Sequence, residues 1–191
     1  MGRFRVVDAD GHVQEPLSIY PKYVDPKWRE LVPAGRPYKM LNVGRPLGMP
    51  EVTDEVPRPS ENARALPGGG HDPHVRIKDM DREGVDVAVC FPSLATSLCA
   101  LEDVELESAM LTAYNRWMAD HCAPYPSRLK GVLMCSMRDM TLGVAEIRRC
   151  AKEPWVAGIC VSGHMDDRNL DDPFFHPLWT DRKSTRLNSS H

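Results

Sequence analysis

With 191 residues, 42% of them hydrophobic and 27% charged, the chain has material for one domain with a substantial core. Its net charge of −3, with acids and bases interspersed, argues against a nucleic-acid or anionic-membrane surface. No apolar run approaches the length of a bilayer span.

The N-terminus, MGRFRVVDADG, lacks the apolar core and cleavage site of a secretory signal. The six cysteines (90, 99, 122, 135, 150 and 160) form no C-x-x-C pair, and several sit in apolar runs. Reduced, buried thiols in a cytoplasmic protein follow from that usage. The first element is an apolar run, Phe4-Arg5-Val6-Val7, leading into Asp8-Ala9-Asp10-Gly11-His12. As a strand with period two, it turns Asp8, Asp10 and His12 to one face. Two readings stay open: a carboxylate and imidazole set for a borderline metal, or a strand end emerging into solvent.

From Pro33 to Gly70 the chain carries seven prolines and closes on Gly68-Gly69-Gly70, which excludes a continuous helix or a central strand. A loop of this length is a lid or a disordered linker; after the first strand of a barrel it would lie over the site. Asp72-Pro73 then reads as a helix start and Gly84 as its stop. Val85–Phe91, Leu129–Cys135 and Val156–Val161 are short apolar runs suited to strands buried on both faces of a parallel sheet. Between them, Leu106, Met110, Tyr114, Trp117 and Met118 share one helical face over residues 104–123. Asp139 or Thr141 can cap a further helix ending in Arg148, Arg149 and Lys152. The alternation is α/β. His71 and His74, spaced i and i+3, fit a turn into a helix better than a metal pair. His164 falls near the strand ends as a loop histidine, His176 at a helix start with a packing role, and Cys90 in the core. No G-x-S-x-G elbow, Walker loop or G-x-G-x-x-G is present.

Four blocks in order, VVDADGHVQEP, DPHVRIKDMDREGVDVAVCFPS, YNRWMADHCAPYPSRLKGVLMCSM and LDDPFFHPLW, together resemble the amidohydrolase-related family. They are most similar to its branch of metal-dependent decarboxylases, such as aminocarboxymuconate-semialdehyde and resorcylate decarboxylases. The resemblance implies a (β/α)8 TIM barrel with one divalent metal, zinc or manganese, at the C-terminal ends of the strands. It implies Asp10 and His12 as the first two metal ligands and Asp8 as a supporting carboxylate inside the barrel. The reaction implied is hydrolysis or decarboxylation of a small carboxylated substrate, with no nucleic-acid or membrane partner; a homo-oligomeric parent is compatible with it. A whole barrel needs about 250 residues. Residues 1–180 therefore read as an incomplete barrel of about four βα units with a Pro/Gly-rich insertion after strand 1. The remaining ligands and the catalytic acid or base would lie in the other half, leaving the chain as given inactive. Residues 181–191, DRKSTRLNSSH, match codon for codon the translation of a common short-read sequencing adapter and are set apart as non-native. The alternatives are a non-catalytic βα scaffold or binding module and a doubly wound nucleotide-binding sheet, the latter weakened by the missing glycine fingerprint.

Overall fold

The apolar runs become four parallel strands: β1 (Val7–His12), β2 (Val87–Phe91), β3 (Leu129–Met134) and β4 (Val156–Cys160). They pair in the order β1-β2-β3-β4, without the reversal that defines a doubly wound sheet. This computed structural model describes residues 4–16, 18–32, 68–165 and 167–184. The expected insertion, residues 33–67 up to the glycine triplet, lies outside the described residues, as do 185–191.

Among the described residues five helices accompany the sheet: α1 (Ile19–Tyr23), α2 (Pro73–Glu83), α3 (Val104–Cys122), α4 (Met140–Cys150) and α5 (His176–Ser184). Aspartates start the middle three. Asp72 accepts from the N–H groups of His74 and Val75, Asp103 from Glu105 and Leu106, and Asp139 from Thr141 and Leu142. Each bond satisfies a donor that the first helical turn leaves unpaired. Asp139, not Thr141, is the cap of α4. Gly84 closes α2 at φ 75°, in the left-handed region that glycine enters without a Cβ penalty. A two-stranded antiparallel hairpin, β5 (His164–Met165) with β6 (Arg168–Asn169), follows β4; its strands are too short to leave a periodic signal. Helix α5 runs to Ser184.

The core forms where the sheet meets the helices. Ala88, Cys90, Leu129 and Leu133 join Met110, Tyr114, Met118 and Ile147 in one buried cluster. A Cβ at Gly131 would lie 2.5 Å from the Met118 Cγ, so the closeness of α3 to β3 requires glycine there. β2 pairs with β3 only as far as Gly131. Beyond it the buried Asn115 acts as a surrogate strand: its Oδ1 accepts from the Met134 N–H at 3.0 Å and its Nδ2 donates to the Met134 carbonyl at 2.7 Å. The same amide donates to Glu146, which Arg149 also holds at 2.6 Å. β1 departs from expectation. Phe4 and Val6, which lead into it, and Val7, which starts it, are 91%, 45% and 52% exposed, because β1 is the first strand of the order and has β2 on one side only among the described residues.

Candidate active site

The register of β1 decides which side chains share a face. Asp8 lies opposite Ala88 and Gly11 opposite Cys90, so three steps along β1 match two along β2. That extra residue is a bulge, and it inverts the alternation between Asp8 and Gly11. Asp8 therefore stands with Gly11 on the helix-facing side, with Ala88 and Cys90, both buried. A Cβ at Gly11 would meet Asp8 Oδ2 at 2.9 Å and the Nη1 of Arg76, from α2, at 3.4 Å. Asp8 nonetheless lines one cavity with His12 and Arg76. Its carboxylate accepts the Asp10 backbone N–H at 3.1 Å and braces the bulge.

Asp10 and His12 are brought together. The His12 Nε2 lies 3.9 Å from Asp10 Oδ1, and the side chains are 55% and 93% exposed. His12 pairs in register with Phe91 at the end of β2. Its Nδ1 lies 3.1 Å from the Pro92 carbonyl oxygen. A carbonyl only accepts, so an Nδ1 bonded to it carries a proton, and Nε2 is the ring nitrogen that faces the Asp10 carboxylate. Arg76 holds the same strand end from the other side, donating to the His12 carbonyl and, at 2.8 Å, to that of Gly69.

Sequence reasoning missed Arg76 and Glu15. Glu15 is 2% exposed and accepts from the backbone N–H groups of Ser93, Leu94 and Ala95. The signal was present: after the bulge, Gly11, Val13 and Glu15 alternate on the buried side, and a carboxylate in that phase needs internal donors.

The other candidates do not converge on this pair. His74 Nδ1 meets the Tyr125 hydroxyl at 3.0 Å, and His71 is exposed. His176 starts α5, as expected, but is exposed and not packed. His164 lies in the short hairpin. Cys90 is a fully buried thiol whose pKa burial raises. All six cysteines are free. A cavity of about 170 Å³ opens between the C-terminal ends of β3 and β4 and the turn Ala95–Ala100. Six of its nine lining residues carry sulfur: Cys99, Met134, Cys135, Met137, Cys160 and Met165. The strands are parallel, so this cavity lies at the same end of the sheet as His12.

The family model for amidohydrolase (Amidohydro_2) matches residues 7–180. The chain belongs to the amidohydrolase family. It is 28% identical over 109 residues to 2-amino-3-carboxymuconate-6-semialdehyde decarboxylase of Dictyostelium discoideum, covering 56% of this chain and 30% of that protein. A longer match, 24% identical over 183 residues, joins 91% of the chain to 48% of 2-keto-4-carboxy-3-hexenedioate hydratase of Sphingobium sp.. Among solved structures, 5-carboxyvanillate decarboxylase of Novosphingobium aromaticivorans, with bound manganese and 3-methoxy-4-hydroxy-5-nitrobenzoic acid, superposes with TM-score 0.58. The superposition has 22% identity and covers 95% of this chain and 49% of that one. The amidohydrolase chain thus spans half or less of the length of these relatives. Among the described residues no group of three His, Cys, Asp or Glu side chains is arranged to hold a metal ion. The Asp10 and His12 pair supplies one oxygen and one nitrogen donor, a set that fits zinc or manganese as part of a larger site. Among the described residues no helix is long and apolar enough to cross a membrane.

Proposed function

We propose that this amidohydrolase is the first half of a (β/α)8 barrel whose complete form uses one divalent metal to decarboxylate or hydrolyse a small carboxylated substrate. Asp10 and His12 are the ligands contributed by β1. The observation that carries the reading is the pair itself: two donors 3.9 Å apart at the C-terminal end of β1, solvent-open, with His12 Nδ1 already tied to a carbonyl. Barrel enzymes place their sites at that end. When bound, a divalent metal polarises a substrate oxygen or activates water. The chain's own residues do the rest. Asp10 and His12 would hold the ion, the Pro92 carbonyl keeps the proton on His12 Nδ1, and Asp8 fixes the backbone beneath Asp10. The sulfur-lined cavity offers a polarisable apolar wall suited to a flat ring, and the decarboxylase relatives support an aromatic carboxylate as its occupant. The hydratase relative supports a second reading, water addition across a carbon–carbon double bond, because its sequence match spans 91% of the chain.

The test separates these reactions. The chain extended to the length of its relatives is loaded with manganese and offered hydroxybenzoates bearing an ortho carboxylate, and unsaturated dicarboxylates. Carbon dioxide release supports the first reading, and hydration without it supports the second. Activity that survives Asp10→Ala together with His12→Ala refutes the ligand assignment. The 191-residue chain alone is expected to bind manganese weakly and to turn over nothing, since two ligands leave the cation largely hydrated.

A further inference from the structure

We propose that Glu15 is a positioning residue for His12: it fixes the loop that carries the Pro92 carbonyl, and that carbonyl holds His12 as the Nδ1–H tautomer with Nε2 free beside Asp10. The inference rests on the metal reading above for the use of Nε2, and on hydrogen-bond geometry for how the ring is held.

Both Glu15 oxygens are engaged. They lie 3.1 Å from the Ser93 N, 3.1 and 3.2 Å from the Leu94 N, and Oε1 lies 2.9 Å from the Ala95 N. Three convergent backbone amides make a concave anion site, and the buried carboxylate fills it from within the same chain. Two further bonds lace the strand end to this loop: Val13 N–H to the Phe91 carbonyl at 2.9 Å, and Ser93 Oγ–H to the Val13 carbonyl at 2.6 Å. Pro92 lies inside this lacing, between Phe91 and Ser93, and its carbonyl receives the His12 Nδ1–H. Glu15 is on the buried side and acts on the ring only through the loop. Without it, three backbone donors, that of Ala95 buried, lose their shared acceptor and the loop is free to withdraw the carbonyl. The imidazole then regains access to its other tautomer, in which Nε2 carries the proton and offers no lone pair. Partners that fix a ligand histidine in this way typically contribute about 10- to 100-fold in metal affinity.

The experiment reads the tautomer directly. Long-range proton–nitrogen correlation spectra of the metal-free 191-residue chain assign which ring nitrogen of His12 is protonated, in wild type and in Glu15→Gln. Manganese affinity is measured in parallel on the chain extended to the length of its relatives. Wild type is expected as the Nδ1–H form. Glu15→Gln, which sets an NH2 group against the amide donors, is expected to mix the tautomers and weaken manganese binding by about 10-fold or more. Asn115→Ala serves as the control, lowering the melting temperature without moving the His12 nitrogen shifts. An Nε2–H form in wild type overturns the inference, whether or not any variant folds. Unchanged tautomer and affinity in Glu15→Gln overturn it too, and if Asp10→Ala and His12→Ala abolish binding in the same series the metal reading stands. Should those two variants bind as wild type does, the metal reading falls, while the tautomer comparison still decides the link from Glu15 to His12.

Discussion

Acid should weaken this fold through one histidine. His121 sits in the last turn of α3, 3% exposed, with its ring centroid 5.1 Å from that of Trp117. Burial first, and the nearby Arg76 guanidinium second, push its imidazole down to about 4. In the unfolded chain the same group titrates near 6.5, about its ordinary value. As pH falls, the unfolded state therefore takes up the proton first. Stability is full above roughly pH 6.5 and declines until the folded-state value near 4 is passed. The separation corresponds to about 3 kcal/mol in all, of which about 2 kcal/mol is lost by about pH 5. A domain of this size has a urea slope of about 2 kcal/mol per molar, so the midpoint should drop by about 1 M between about pH 8 and pH 5. The assay is urea unfolding at both pH values, in wild type and in His121→Gln, whose side chain does not titrate. Other groups contribute to both proteins, so the difference between their pH slopes isolates His121. Parallel slopes would refute the reasoning.

Three further outcomes are expected. Gly143→Ala should destabilise by about 1–3 kcal/mol in thermal unfolding, because a Cβ there would collide with the Ser136 carbonyl oxygen; a neutral result would show that α4 can shift. Asn115→Leu should cost about 2–4 kcal/mol by chemical unfolding, since it strips partners from Met134 and from buried Glu146; loss below about 0.5 kcal/mol would contradict its role as a surrogate strand. Sequencing the source locus across the Thr180 codon is expected to diverge from DRKSTRLNSSH, and uninterrupted genomic DNA encoding that peptide before a stop codon would show it to be native.

Strands and helix starts were legible because their signals are local. VDVAVCF, LKGVLMC and VAGIC are short apolar runs flanked by polar residues, and Asp72 and Asp139 each sit one residue before a helix. The Asp10 and His12 pair was legible for the same reason, as two residues on one strand. What escaped depends on partners distant in the chain. The bulge that sends Asp8 to the helix side is visible only against β2, since period two by itself contains no insertion. Arg76 and Glu15 act on backbone groups more than 60 residues away. The Phe4-to-Val7 run misled because apolar character alone does not tell a covered strand from one with a neighbour on one side only.

The most direct test of the account is a manganese titration followed by electron paramagnetic resonance, on the chain extended to the length of its relatives and on its Asp10→Ala, His12→Ala double variant. The account predicts that the six-line signal of free manganese is quenched stoichiometrically by the parent protein and persists with the variant. Equal quenching by both would place the metal elsewhere and contradict the assignment of β1 as its anchor.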